Sequence, residues 1–155
     1  MRKIYAASSW RNPNYSFHVE FMRKLGHEVW DFRNPPTGDV GFSWREIDPA
    51  WNSESPAVST EVYKEMLRHP AAERGFGLDR RGMEWADTCV MLLPCGRSAH
   101  LEAGVMIGWG KPTFIFRPDD QEPDLMYKFA TGIAGSHDEL ARMLAADIHG
   151  ATLSG

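Results

Sequence analysis

Cysteine is scarce. The two present, Cys89 and Cys95, flank one short apolar run. Separated by an extended strand, they cannot meet in a disulfide, so they read as reduced thiols of a cytoplasmic protein. Cys89 reads as core filler, and Cys95 stands at the end of the run. Long apolar stretches are also missing. The longest is about five residues, too short to span a membrane, and Met1-Arg2-Lys3-Ile4-Tyr5 enters a strand pattern with no secretory segment before it. Basic excess is absent: the net charge is −4 with no basic stripe, which argues against nucleic acid and anionic membranes as partners. The six histidines show no metal-ligand spacing, and the glycines form neither a dinucleotide fingerprint nor a P-loop. Neither a metal nor an organic cofactor is expected.

What remains is ordinary globular material: 155 residues, 43% hydrophobic and 25% charged. Residues 1–150 are expected to form one α/β domain, with 151–155 a small, polar, frayed tail.

Short apolar strands punctuated by Gly and Pro alternate with helical patterns along the chain. Strands are expected at Lys3 to Ala7, His27 to Phe32, Thr88 to Leu93, Thr113 to Phe116 and Gly132-Ile133. Helices are expected at Tyr15 to Leu25 (burying Phe17, Phe21, Met22 and Leu25), Thr60 to Arg68, Pro70 to Trp85, Ala99 to Trp109 and Asp138 to Ile148. The acidic turn Asp119 to Asp124 would cap a short helix through Phe129. Such alternation predicts a five-stranded, doubly wound, flavodoxin-like parallel sheet with helices on both faces. Ligands of such sheets bind at the carboxyl ends of the strands, where the strand order reverses. The loops there would be Ser8 to Asn12 and Pro94 to Ser98, which places Ser8, Trp10, Arg11, Gly96, Ser98 and Glu102 around one crevice.

Glu102 is the conspicuous member. It is the only carboxylate in a small apolar helix, where an unpaired charge is costly, so a partner or a use is expected for it. A second acidic group, Asp79 on the preceding helix and Asp87 where the third strand begins, completes the parts that glycosidic chemistry needs. One acid assists the leaving group while another attacks or stabilises the anomeric carbon. The stretch Phe42 to Pro56, rich in aromatics and acids, is long for an idle loop and reads as a lid over this crevice.

Three segments, in order, resemble the nucleoside 2-deoxyribosyltransferase family. They are Ile4-Tyr5-Ala6-Ala7-Ser8-Ser9-Trp10, the Asp-x-x-Gly stretch from Leu78 to Asp87, and Leu101-Glu102-Ala103-Gly104. The resemblance implies that Glu102 attacks C1′ to form a glycosyl-enzyme, that Asp79 assists departure of the base, and that Tyr5 orients the glutamate. Trp10 would line the base pocket. A neighbouring subunit would complete the site through Asp124, Met126 and Tyr127, so a homodimer or higher homo-oligomer is expected; six Trp and eight Met supply apolar surface for it. Two departures stand out. Gly96 occupies the place where transferases of the family carry an aspartate, and the tail lacks an aromatic ending. Arg11 resembles instead the related 2′-deoxynucleoside 5′-monophosphate N-glycosidases, and Arg97 and Ser98 at the helix start could hold a phosphate. The substrate is thus expected to be a nucleoside or nucleotide. Two alternatives stay open: a NAD-cleaving module like that of Toll/interleukin-receptor-like domains, and a nucleotide-binding module without catalysis.

Overall fold

The computed structural model describes residues 1–52, 54–55 and 57–146. Five strands form one sheet: β1 (Lys3–Ala7), β2 (Glu28–Trp30), β3 (Thr88–Leu92), β4 (Thr113–Phe116) and β5 (Gly132–Ala134). Their order is β2-β1-β3-β4-β5 and every pairing is parallel. This is the expected doubly wound arrangement, with the order reversing between β1 and β3.

Parallel strands joined by helical crossovers are covered on both faces, and the pleat sorts their side chains between two cores. Ile4, Ala6, Val90, Leu92, Phe114 and Phe116 face α1 (Tyr15–Lys24) and α5 (His137–Ala145). Tyr5, Ala7, Cys89, Met91 and Ile115 belong to the opposite core, with Met83 of α3 (Pro70–Trp85) and Ala99, Ala103 and Met106 of α4 (Arg97–Gly108). A further helix, α2 (Thr60–Leu67), precedes α3 and has no buried residue. Cys89 is buried core, as expected of it.

The register of α1 differs from expectation. Its buried stripe is Tyr15, His18, Val19 and Met22, while Phe17 and Leu25 are 63% and 42% exposed. The stripe that starts at Tyr15 has the same helical spacing. Tyr15, Val19 and Met22 pack in one core with Leu140 and Leu144 of α5, and His18 has one polar contact, its Nδ1 3.1 Å from Nε2 of His137. The expected end of the last helix at Ile148, the tail 151–155 and Pro56 of the lid lie outside the described residues. No described helix is long and apolar enough to cross a membrane.

Candidate active site

The site begins with β1. Alternation turns Tyr5 toward α3 and α4, where it is fully buried. After Ala7 the chain is tied to the end of β3. Ser8 Oγ donates to Leu92 O (2.8 Å), and Asn12 Nδ2 donates to Ser8 Oγ (3.1 Å) and Leu92 O (3.3 Å). The loop between these anchors carries Trp10 and Arg11 outward. Arg33, just beyond β2, holds the same loop from the other side. Its Nη2 donates to the carbonyls of Ser9 (3.0 Å), Trp10 (2.9 Å) and Asn12 (3.0 Å), while the guanidinium stacks 4.5 Å from the Tyr15 ring.

Two helices bring acids to this loop. Glu102 stands on α4 and Asp79 on α3, and α3 lies close enough to β2 that a Cβ on Gly82 would strike the Trp30 indole, 2.6 Å from Cδ1. The glycine of the Asp-x-x-Gly segment therefore acts as a packing notch that lets the helix bearing Asp79 settle on the sheet. Between the two acids and the loop opens a cleft of about 660 Å³. Ser8, Trp10, Arg11, Asp79, Ser98 and Glu102 all border it. The stretch that begins at Phe42 adds wall to it through Phe42, Trp44, Arg45, Trp51 and Asn52. Here Ser43 caps a 3-10 turn, Trp44–Glu46, with Glu46 closing a capping box.

The electrostatics are unusual. Burial, and then the charge of Asp79, push the Glu102 carboxyl up to about 8; the nearby Tyr5 hydroxyl pulls the other way. Burial alone raises Asp79 to about 6. The Tyr5 hydroxyl is buried with no hydrogen bond of full geometry, and its own pKa is raised by burial, then by Glu102 and Asp79. Both acids are thus disposed to hold a proton at higher pH than an exposed carboxyl does.

Other expected site residues fall elsewhere. Asp87 is at the amino end of β3, the opposite edge of the sheet, where its carboxylate accepts from Lys3 N (3.1 Å) and Thr88 Oγ1 (2.8 Å). A strand carries its two ends to opposite sides of the molecule, so a residue that opens β3 cannot share the crevice with those that follow it. Gly96 is the N-cap of α4 and borders a separate shallow depression with Cys95, Arg97 and His100. Asp124 and Met126 line a different cavity of about 430 Å³ on another side of α4, together with Tyr127. His100 also turns that way, with Nε2 2.9 Å from Tyr127 Oη and Nδ1 2.7 Å from Gly96 O. Among the described residues no group of three or more His, Cys, Asp or Glu side chains could hold a metal ion. Sequence reasoning missed Phe32, which borders the cleft, and Arg33, which holds the loop; Asn12 and Arg45 lie within stretches it placed there without being singled out.

The chain matches no protein-family model and no curated protein. Solved structures do resemble it. A 2-deoxyribosyltransferase of Bacillus psychrosaccharolyticus superposes with a TM-score of 0.55 at 22% identity, over 94% of this chain and 92% of that one. The chain has the nucleoside 2-deoxyribosyltransferase fold. A CMP N-glycosidase of Clostridium botulinum shares it, with a TM-score of 0.50 at 12% identity over 92% of this chain and 98% of that one. So does a conserved protein of Enterococcus faecalis V583, at 0.50 and 14% over 92% and 96%. In this deoxyribosyltransferase fold, the cleft that holds Glu102 and Asp79 lies where doubly wound sheets place their ligands.

Proposed function

We propose that this chain cleaves or transfers the N-glycosidic bond of nucleosides or nucleoside 5′-monophosphates, with Glu102 as nucleophile. The observation that carries the reading is the pair of acids, Glu102 and Asp79, both pushed up by burial and both bordering one aromatic-walled cleft. With Glu102 ionised and the proton on Asp79, the nucleophile and the acid are present together. The Glu102 carboxylate then attacks C1′ while the base leaves with the bond electrons, and Asp79 delivers the proton to the departing nitrogen. The resulting glycosyl ester is resolved by a second base, which is transfer, or by water, which is hydrolysis. The Tyr5 hydroxyl, buried beside Glu102, lowers the pKa of that carboxyl and so steadies its ionised form.

The cleft favours a flat, anionic ligand. Trp10, Phe42, Trp44 and Trp51 offer faces for a base. Arg11 and Arg45 border the same cleft, and among the described residues neither forms a salt bridge. Ser98, in the first turn of α4, adds a hydroxyl beside free backbone N–H groups. A 5′-phosphate satisfies all three. A homodimer completes the reading. Leu101, Val105 and Trp109 lie exposed along α4 and its end, and Met126 and Phe129 lie exposed at the second cavity. Such a surface suits a second copy that presents Asp124 and Met126 to its neighbour's cleft.

Chromatography of nucleosides, 5′-monophosphates and NAD, each incubated with and without an added free base, tests the reading. Base released from monophosphates, lost in Glu102→Ala, is the expected result. Nucleoside formed only with added base would make the chain a transferase, and nicotinamide released from NAD alone would favour the NAD-cleaving alternative. Turnover equal in Glu102→Ala would sink the nucleophile assignment. The pH profile of kcat/KM is expected to be bell-shaped, with its limbs near the apparent values of about 6 and 8.

A further inference from the structure

The helix that carries Asp79 also holds the aromatic wall. Gly75 lies one turn before Asp79 on α3, is buried, and packs directly under Phe42. A Cβ built on Gly75 would stand 2.7 Å from Phe42 Cγ and 3.1 Å from Cδ2, a separation that side chains do not tolerate. The next residue back, Arg74, grips both flanks of Phe42. Its Nη2 donates to the Glu46 carboxylate, and its Nη1 donates to the carbonyl of Val40 at 3.4 Å. Glu46 in turn accepts from Ser43 N (3.0 Å), which closes the capping box beside Phe42. From there the wall continues as one unit. Phe42 meets Trp44 edge-on at 5.0 Å, Trp44 neighbours Trp51 at 6.4 Å, and Arg45 Nε donates to Trp51 O at 2.8 Å.

We propose that Arg74 and Gly75 are positioning residues that set the separation between the aromatic wall and Asp79, and thereby the fit of a planar heteroaromatic base. This rests on the glycosidic reading above. The physical reason is that wall and acid share one rigid element. A base stacked on the Phe42–Trp44 wall then presents its leaving nitrogen at a fixed distance from the Asp79 carboxyl, and neither can drift without the helix. Gly75 is small because the wall must touch the helix backbone; any larger residue lifts the wall away. Arg74 prevents the segment from swinging out once it is seated. Neither residue borders the cleft or touches the ligand, so both act through Phe42 and its neighbours.

The test combines binding and turnover. Free adenine and free cytosine are titrated into the wild type, Gly75→Ala, Arg74→Met and Arg74→Lys, with tryptophan emission as the readout. KM and kcat for the best substrate are measured alongside. Gly75→Ala and Arg74→Met are expected to weaken base binding and raise KM by about tenfold or more, with kcat changed much less. Arg74→Lys, which keeps a cation for Glu46, is expected to restore part of the loss. A merely structural role would lower stability without this KM-against-kcat split and without rescue. Arg74 is exposed, so Arg74→Met keeps the test alive if Gly75→Ala does not fold. If the wild type binds bases and turns over substrate while both variants match it, the positioning role is overturned and the glycosidic reading stands. If the wild type binds no base and cleaves nothing, both fall together.

Discussion

The two ends of the sheet are built on opposite principles. At the amino end, polar groups are paired. Asp87 accepts two hydrogen bonds, Arg2 donates to Leu144 O (2.7 Å), Ala146 O (2.6 Å) and Thr88 Oγ1 (3.3 Å), and Lys111 Nζ donates to Met83 O (2.7 Å), Glu84 O (3.0 Å) and Ala86 O (2.6 Å). At the carboxyl end, Glu102 and Asp79 repel one another in a half-buried cleft, and Tyr5 keeps a hydroxyl without a full hydrogen bond. A fold that satisfies one edge so fully has no need of strain at the other for stability. The difference separates residues kept for holding the chain together from residues kept at a cost to it. That contrast can be broken experimentally.

The largest effect is expected at the carboxyl end and in activity alone. Glu102→Gln removes the nucleophile but not the shape, so kcat should fall by at least about 10³-fold. Its melting temperature should equal or exceed that of the wild type. A large loss of stability would place Glu102 with the structural residues and dissolve the contrast. The converse is expected at Lys111. One ammonium serves three carbonyls where α3 ends, so Lys111→Met leaves them bare and should cost about 2–3 kcal/mol in urea unfolding. Its kcat/KM should stay within about twofold of wild type at temperatures where the variant is folded.

A pH series sharpens the same contrast. The folded-state pKa of Glu102, about 8, lies above its ordinary value of 4.5, so the native state binds more protons than the unfolded chain between these limits. Wild-type stability contributed by this group is therefore intact below about 4.5 and is lost as pH rises through about 8. Glutamine at 102 does not ionise. The stability gain of Glu102→Gln over wild type should be near zero at pH 4 and grow with pH. It should reach on the order of 2 kcal/mol above pH 8, with allowance for solvent at a half-buried group. Parallel stability curves from pH 4 to 9 would show that the two acids do not strain the fold.

How much of this was legible in the sequence follows from the range of the interactions involved. Strands and helices are marked locally by Gly, Pro and apolar spacing, and the sheet order follows from their alternation. Glu102 stands out because its own helix is otherwise apolar, and Asp79 because a glycine follows at Gly82. The face of α1 was legible in part: Met22 is buried and Phe21 packs on the core as expected, whereas Tyr15, His18 and Val19 are buried in place of Phe17 and Leu25. What packs on that face comes from distant elements, α5 among them. Arg33 was invisible for the same reason, because its three carbonyls lie more than twenty residues earlier in the chain. Asp87 misled because closeness in sequence to β3 says nothing about which end of the strand faces the cleft.

The smallest expected effect concerns that residue. Asp87 joins Lys3 of β1 to Thr88 of β3 through one backbone N–H and one hydroxyl. Asp87→Ala removes both bonds, but Lys3 N is exposed and finds water in place of the carboxylate. The cost should be about 1 kcal/mol, read as a small drop in the urea midpoint at unchanged m-value. KM and kcat should both match wild type, because the substitution lies at the sheet edge opposite the cleft. A KM raised severalfold, with stability unaltered, would mean that a second copy of the chain carries this edge to its neighbour's site. The amino end would then be functional as well as structural, and the division between the two edges would have to be redrawn around the assembly instead of the single chain.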